Sequence, residues 1–280
     1  MIIDFHTHTF PDAIARGTIE HLKSKSLTVN FEAGTAADLT RSSREAGIDL
    51  SIVLPVVTNP QKALKIIALS AQMNEKTDET GIISFGGIHP DVDDYKFVIS
   101  EAKKLGLRGL KIHPAYQNTD INDIRYKRII AYADELGLTV VTHGGIDIGI
   151  PGNRCTVGML LDVIKDVKPK KLVVAHMGGW QTWDEVLESL CGEYVYLDTS
   201  FSCCDYAYQE SVPINERYKP LEIEKFIGII RSHGVDKILF GTDSPWSCRA
   251  QQAEMIKSLP LSREDIEKIL YKNAESLLGL

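Results

Sequence analysis

Eight short apolar runs alternate with helical segments along the whole 280-residue chain. Most of these runs are unbroken stretches of Val, Ile and Leu, which is typical of parallel strands covered on both faces. The predicted strands are Ile2–His6, Ile48–Pro55, Ile82–Ile88, Gly109–His113, Leu138–His143, Lys171–His176, Tyr194–Thr199 and Lys237–Thr242. Eight βα alternations without a linker predict an α/β protein, a single (β/α)8 TIM barrel over residues 1–280.

Helical periodicity fills the segments between the runs. The clearest predicted helices are Asp93–Leu105, Ile121–Leu136, Val157–Val167, Trp183–Leu190, Leu221–Ser232 and Ser262–Leu278. Gly106, Gly137 and Gly234 follow three of them, where a left-handed cap is favoured. A doubly wound open sheet is the alternative fold, but there a glycine-rich loop follows the first strand, and here that strand ends in histidines.

Polar side chains recur at the ends of the predicted strands. His6 and His8 are one residue apart, and alternate residues of a strand point the same way, so both can reach one ion. Other strands end in Lys111, His113, His143, His176 and Asp243. A lone histidine at a strand end can simply cap the backbone, but the recurrence favours a metal site at the C-terminal rim of the barrel.

Neutral imidazoles and a carboxylate suit Zn²⁺ and other borderline divalent ions. Three histidines and one carboxylate can hold such an ion, leave room for water, and activate that water near neutral pH. The carboxylate can also accept the proton of the water. A further histidine can polarise the substrate or act as an acid or base.

In the order of its motifs, the chain resembles the amidohydrolase superfamily, and within it the amidohydrolase-related branch, also called amidohydrolase 2. The matching features span nearly the whole sequence. They are the pair His6 and His8, the Leu-Lys-Ile-His-Pro of Leu110–Pro114, His143, the His-Met-Gly-Gly of His176–Gly179, the Gly-Thr-Asp-Ser-Pro of Gly241–Pro245, and Asn273–Leu280 at the end.

This resemblance implies a metal-dependent barrel enzyme. It implies one divalent metal, with Zn²⁺ favoured, although two ions are also found in the superfamily. The implied ligands are His6, His8, His143 and Asp243. His176 would bind a second ion or act as a catalytic histidine, and Asp243 would also be catalytic. In some relatives a carboxylated lysine bridges two metals, and Lys111 stands near that position.

The resemblance leaves the reaction open. The first hypothesis is a hydrolase that uses a metal-activated water on a small amide, ester or lactone. The alternative is a zinc-dependent non-oxidative decarboxylase or a hydratase that acts on a small carboxylic acid. Gly87–Pro90 also resembles TatD-like nucleases, but their usual strand-4 glutamate is missing from Gly109–Pro114, and the net charge of −7 disfavours a nuclease.

Several further residues are candidates for contact with the substrate. Lys111, His113 and His89 stand at or near strand ends, and Trp246 follows the strand-8 motif. Arg154 lies in the loop after strand 5, where an arginine could hold a substrate carboxylate through two hydrogen bonds. His21 and His233 fall in predicted helices and are expected to be structural.

Composition and the absence of long apolar runs narrow the expected cellular location and partners. The five cysteines are irregularly spaced, which indicates reduced thiols rather than a disulfide framework. No run approaches the length of a membrane span, and no signal peptide is evident. We therefore expect a cytoplasmic protein with a small-molecule substrate and no nucleic-acid or membrane partner. A homo-oligomeric state is compatible with the sequence.

Overall fold

The computed structural model describes residues 1–204 and 206–280. In this part of the chain the strands follow the predicted order. They are β1 Ile3–Thr7, β2 Leu50–Val53, β3 Ile82–Ser84, β4 Gly86–Gly87, β5 Gly109–Ile112, β6 Thr139–Thr142, β7 Leu172–Val174, β8 Tyr196–Asp198 and β9 Ile238–Leu239. β1 has the predicted length but begins one residue later, and the other strands are shorter than predicted because their ends bend into the neighbouring loops. The third predicted strand is broken at Phe85 into β3 and β4.

The strands form a closed, parallel barrel. β1, β2 and β3 pair in that order, and β4 to β9 pair in sequence order. The amide of Phe85 donates to Val53 O, so the broken strand joins the two sheets. Between the last and first strands, Phe5 N donates to Phe240 O at 2.7 Å and Asp243 N donates to His6 O at 2.8 Å. These bonds close the predicted (β/α)8 barrel.

Helices cover the outside of the barrel. They are α1 Asp12–Ser26, α2 Ala36–Glu45, α3 Ala63–Asn74, α4 Thr77–Thr80, α5 Tyr95–Lys104, α6 Ile124–Glu135, α7 Val157–Val167, α8 Trp183–Glu185, α9 Ile223–His233, α10 Arg249–Lys257, α11 Arg263–Glu267 and α12 Asn273–Leu278. Two π-helical turns, Val186–Leu190 and Lys268–Lys272, extend α8 and α11. The six predicted helices are therefore present, two of them with a π-helical turn.

The predicted helix signals act as expected. Gly106, Gly137 and Gly234 all have positive φ, the region where glycine avoids the clash of a Cβ atom. Ser262 caps α11, because its side chain accepts a hydrogen bond from the amide of Asp265.

One apolar cluster fills the inside of the barrel. It includes Ile3, Phe5 and Leu239, and it continues to Leu277 of α12. Leu50, at the first position of β2, packs on the same cluster. α12 therefore closes the amino-terminal end of the barrel, which leaves the carboxyl ends of the strands for polar side chains. Among the described residues, no helix is long and apolar enough to cross a membrane.

Candidate metal centre

Three predicted ligands meet where β1 ends beside the segment that follows β9. His6 Nε2 lies 3.2 Å from His8 Nε2. Asp243 Oδ1 lies 3.1 Å from His8 Nε2 and 3.5 Å from His6 Nε2. These atoms are all within 4.8 Å of one another, a grouping that could hold a metal ion.

The other ring nitrogens of the two histidines show where their protons lie. His8 Nδ1 is 2.9 Å from Leu54 O, and a carbonyl oxygen can only accept, so Nδ1 of neutral His8 carries the proton. His6 Nδ1 is 2.8 Å from Asp198 Oδ2, and a carboxylate likewise requires a donor there. Both Nε2 atoms of the neutral rings therefore present lone pairs.

This donor set fits a divalent cation. Two imidazole lone pairs 3.2 Å apart cannot hydrogen-bond to each other, and the Asp243 carboxylate adds a further acceptor beside them. A cation placed between these atoms would turn their mutual repulsion into attraction. Nitrogen and carboxylate ligands of this kind are common in zinc sites.

Asp243 is held in its place by an unusual backbone. Its φ is +65°, a left-handed conformation that is uncommon outside glycine and clusters at functional sites. Its amide donates to His6 O, and its carbonyl accepts from Trp246 N at 2.9 Å. The next residue, Ser244, donates its hydroxyl to Glu32 Oε2 at 2.7 Å. The loop after β1 thus supports the turn that carries Asp243.

Lys111 brings a positive charge to the same place. Its side chain is 1% exposed, and Nζ lies 3.4 Å from His6 Nε2. Burial lowers the pKa of Lys111 to about 8, while the carboxylates of Asp198 and Asp243 act in the opposite direction. The lysine therefore shares the lone pair of His6 and neutralises part of the acidic charge at the rim.

His143 and His176 form a chain of contacts next to this cluster. His176 Nε2 lies 3.0 Å from His143 Nδ1, and the chain ends at Ile146 O on one side and Ser200 O on the other. Burial lowers the pKa of His143 to about 3 and that of His176 well below its usual value. Each neutral ring carries one proton, so the two protons serve the contacts with Ile146 O and between the two rings. His176 Nδ1 is then an acceptor, and the Ser200 hydroxyl, 3.0 Å away, is the candidate donor to it.

This arrangement sets His143 apart from the other predicted ligands. The geometric grouping of ligand atoms places it with His113 and Asp147 rather than with His6, His8 and Asp243. Its Nε2 lies 3.0 Å from Ile146 O, and a metal bound at that nitrogen would replace this contact.

Asp198 and Ser200 are contributors that the sequence analysis did not single out. Asp198 is fully buried; Oδ2 contacts His6 Nδ1, and Oδ1 accepts from the amide of His176 at 3.1 Å. The Ser200 hydroxyl can donate to Asp198 Oδ1 or to His176 Nδ1, and its oxygen can accept from His6 Nδ1. A carboxylate behind a metal-ligating histidine fixes its tautomer and its orientation. Their position at the end of β8 obeys the same strand-end rule that identified the other residues.

A second polar group lines the rim beside the first. The His113 ring stacks on His143 with centroids 4.4 Å apart and planes at 17°. His113 Nε2 lies 3.6 Å from Asp147 Oδ2, and Tyr116 packs edge-on against the His113 ring. Burial raises the pKa of Asp147 to about 6. Asp147 also escaped the sequence analysis, because it lies within a loop rather than at a strand end.

The remaining predicted site residues are spread more widely. His89 is buried, and its Nδ1 accepts from the amide of Asp91 at 3.1 Å, so it orders the turn after β4. Arg154 is partly exposed and forms an ion pair with Asp120 at 2.9 Å, so the structure does not bring its guanidinium to the metal cluster. Trp246 is half-buried on the turn after Asp243.

Comparisons with known proteins agree with the fold and the motifs. A family model described as amidohydrolase matches residues 3–280. No curated protein matches the sequence. An uncharacterized TIM-barrel protein from Bordetella bronchiseptica is similar in structure, with 18% identity, a TM-score of 0.72, and coverage of 99% of this chain and 98% of that chain.

Two structurally similar proteins have named activities. 5-Carboxyvanillate decarboxylase from Sphingomonas paucimobilis has 12% identity, a TM-score of 0.65, and coverage of 100% and 99%. A dihydroxybenzoic acid decarboxylase from Polaromonas, solved with bound manganese, has 16% identity, a TM-score of 0.66, and coverage of 100% and 97%. At these identities the likeness concerns the fold alone. The family match over nearly the whole chain shows that the protein belongs to the amidohydrolase family.

Proposed function

We propose that the protein is a metal-dependent hydrolase of a small organic substrate and that His6, His8 and Asp243 hold one divalent cation. The observation that carries this proposal is the meeting of two unprotonated Nε2 atoms and a carboxylate oxygen within 3.5 Å of each other. Zn²⁺ is the expected ion. His143 is the proposed fourth ligand, after its Nε2 leaves Ile146 O.

A cation held by His6, His8 and Asp243 would supply a Lewis acid that lowers the pKa of water at this place. The protein groups have separate tasks around it. Asp243 would accept a proton from the attacking water through the carboxylate oxygen that does not hold the cation. His176, linked to Ser200, donates a proton to the leaving group or takes one up. Lys111 offers a buried positive charge to an anionic part of the substrate.

Non-oxidative decarboxylation is the second candidate. It is favoured by the two named structural neighbours, both of which are decarboxylases of aromatic acids, one of them with bound manganese. In this reaction Lys111 and the cation would hold the substrate carboxylate, and His176 would supply the proton that replaces CO₂.

Metal titration tests the shared part of both proposals. Metal-stripped protein is titrated with Zn²⁺ and with Mn²⁺ by calorimetry, and we expect one ion per chain. A variant with His6→Gln and His8→Gln should lose at least about a hundredfold in affinity, because two of the ligands are gone. The exposed His21→Gln variant is the matched control. Equal binding by the double variant and the control would remove the basis for the site.

Isotope labelling then separates the two reactions. A panel of lactones, amides and hydroxybenzoates is incubated with the zinc-loaded enzyme in ¹⁸O-labelled water. Incorporation of ¹⁸O into an acid product supports hydrolysis, whereas release of CO₂ without ¹⁸O in the remaining product supports decarboxylation.

A further inference from the structure

Asp147 and His113 face each other in the second polar group of the rim. Asp147 Oδ1 accepts a hydrogen bond from the Gly149 amide at 2.8 Å, so its other oxygen, Oδ2, is the one that faces His113. The distance from Oδ2 to His113 Nε2 is 3.6 Å, which is longer than a hydrogen bond. Both side chains are nine-tenths buried, with exposed fractions of 9% for His113 and 10% for Asp147.

The proton of His113 lies on the side of Asp147. The amide of Tyr116 donates to His113 Nδ1 at 3.4 Å, so Nδ1 is an acceptor and Nε2 of the neutral ring carries the hydrogen. Stacking on His143 and the edge contact with Tyr116 fix the ring from two sides. The ring therefore cannot swing to shorten the 3.6 Å separation without breaking these contacts.

A metal ion does not suit this pair. The lone pairs of an imidazole lie in the plane of its ring, and the planes of His113 and His143 are nearly parallel at 17°. Nitrogen atoms of rings stacked in this way point side by side and do not converge on one ion.

His113 Nε2 offers a hydrogen-bond donor and Asp147 Oδ2 offers an acceptor. A ligand group that fits between them must therefore accept from His113 and donate to Asp147 through the same atom. A hydroxyl does this, because its oxygen can accept one hydrogen bond while its hydrogen is donated in another. A carboxylate cannot donate, and an ammonium cannot accept. Lys111 lies on β5 and His113 directly follows that strand, two residues later and about 6.5 Å along the chain, which is within the span of a small molecule.

We propose that Asp147 and His113 form a specificity-determining pair that recognises a hydroxyl group of the substrate. This inference rests on the proposed function, since it assumes that the rim is the substrate site. In this proposal the hydroxyl lies between Asp147 Oδ2 and His113 Nε2, and an anionic group of the substrate lies toward Lys111.

Two matched ligands test the proposal by calorimetry on zinc-loaded protein. 3-Hydroxybenzoate has the hydroxyl, and 3-methoxybenzoate cannot donate a hydrogen bond from the same position. The meta arrangement also prevents hydroxyl and carboxylate from chelating one ion. We expect the wild type to bind 3-hydroxybenzoate at least about tenfold more tightly, as a hydrogen bond to a charged group warrants.

Asp147→Asn and His113→Gln should each reduce affinity for 3-hydroxybenzoate about tenfold and leave that for 3-methoxybenzoate nearly unchanged. Asp166→Asn, on the outer surface of α7, and His21→Gln, on α1, are the matched controls. Circular dichroism and zinc content are measured for every variant, and having two variants guards against a folding defect in one of them.

The outcomes separate this inference from the proposed function. A preference for the hydroxylated ligand that disappears in both variants supports it. A preference that persists in both, a wild type without preference, or a wild type that binds neither ligand overturns it. If zinc still binds through His6 and His8 in these cases, the proposed metal site stands without hydroxyl recognition by Asp147 and His113. A wild type that takes up no zinc contradicts the proposed function itself.

Discussion

Asp4 and His6 are two residues apart on the first strand and both are buried, yet they are partnered very differently. The Asp4 carboxylate is paired with the guanidinium of Arg249 at 3.2 Å and accepts from the hydroxyl of Thr242 at 2.6 Å. His6 satisfies Nδ1 through Asp198, but its Nε2 faces the Nε2 of His8 and the ammonium of Lys111.

The difference distinguishes a buried charge that holds the fold together, at Asp4, from a polar group at the proposed metal site, His6. Around Asp4 the protein supplies every partner, so the charge ties β1 to α10 and to the segment after β9. Around His6 Nε2 the protein supplies two acceptors, His8 Nε2 and the Asp243 carboxylate, beside the Lys111 ammonium, and the proposed cation would complete this set. A buried polar group whose partners are complete stabilises the fold, whereas an incomplete set costs free energy unless a ligand completes it.

The largest expected effect is on turnover and comes from a substitution in the group of polar atoms around His6 Nε2. Asp243→Asn should lower turnover by about a thousandfold, because the metal contributes several kcal/mol to the transition state and the variant loses both a ligand and a proton acceptor. The metal-free variant should fold normally, as seen by circular dichroism. The exposed Asp236→Asn variant is the control, and retention of a tenth of the activity by Asp243→Asn would contradict its role.

Removing a partner of the Asp4 carboxylate should affect the stability of the fold instead. Arg249→Met leaves the Asp4 carboxylate buried without its counter-charge and removes the hydrogen bonds of Arg249 to Leu39 O and Ser43 Oγ. We expect the free energy of unfolding to fall by about 3–5 kcal/mol, measured by urea denaturation of the metal-free protein. Arg263→Met, on an exposed side chain, should change it by less than about 0.5 kcal/mol. A loss below about 1 kcal/mol would mean that the pair is not a structural tie.

The two regions also differ in their dependence on pH. Burial lowers the pKa of the rim histidines, so the folded chain keeps them neutral while the unfolded chain takes up protons below about pH 6.5. These residues are His6, His113, His143 and His176. Burial raises the pKa of Asp4 and Asp147 to about 6, which acts in the opposite sense, because the folded state then binds their protons first.

Four histidines outweigh two carboxyl groups, so the metal-free protein should lose stability as the pH falls from 7 to 5. The expected loss is about 2 kcal/mol per pH unit, measured by denaturation at each pH. His113→Gln should reduce this slope by about 1.4 kcal/mol per pH unit, the value for one proton, whereas the exposed His21→Gln should leave it unchanged. A stability that rises or stays level over this range would contradict neutral, buried rim histidines.

The sequence predicted the parts of the molecule that follow a local rule. Strand periodicity located the barrel strands, and the strand-end rule located His6, His8 and Asp243. The same rule applied to the eighth strand of the structure would have found Asp198. The break at Phe85 was not predicted, because it depends on how two sheets meet.

The orientations of the loop residues could not be predicted from the sequence, for a physical reason. Asp147 turns toward the rim because its own loop amides hold one of its oxygens, and Arg154 turns toward Asp120, which lies elsewhere in the sequence. Such orientations depend on tertiary contacts rather than on any periodic pattern, so the loops could be recognised as part of the rim but not read residue by residue.

Asp198 shares features with both Asp4 and His6. It is a fully buried carboxylate, like Asp4, and it contacts His6, a proposed metal ligand. In Asp198→Asn, an amide nitrogen placed at Oδ2 would face the proton on His6 Nδ1, so the ring would rotate or change its tautomer. We expect zinc affinity to fall by about ten- to a hundredfold, the usual effect of removing a carboxylate behind a ligating histidine. Ser200→Ala removes a neighbouring hydroxyl but keeps the contact between Asp198 and His6, and it should change affinity less. Calorimetric titration of both variants, with circular dichroism to confirm folding, measures this difference. Equal losses would assign the effect to disturbed packing around β8 rather than to the proton on His6.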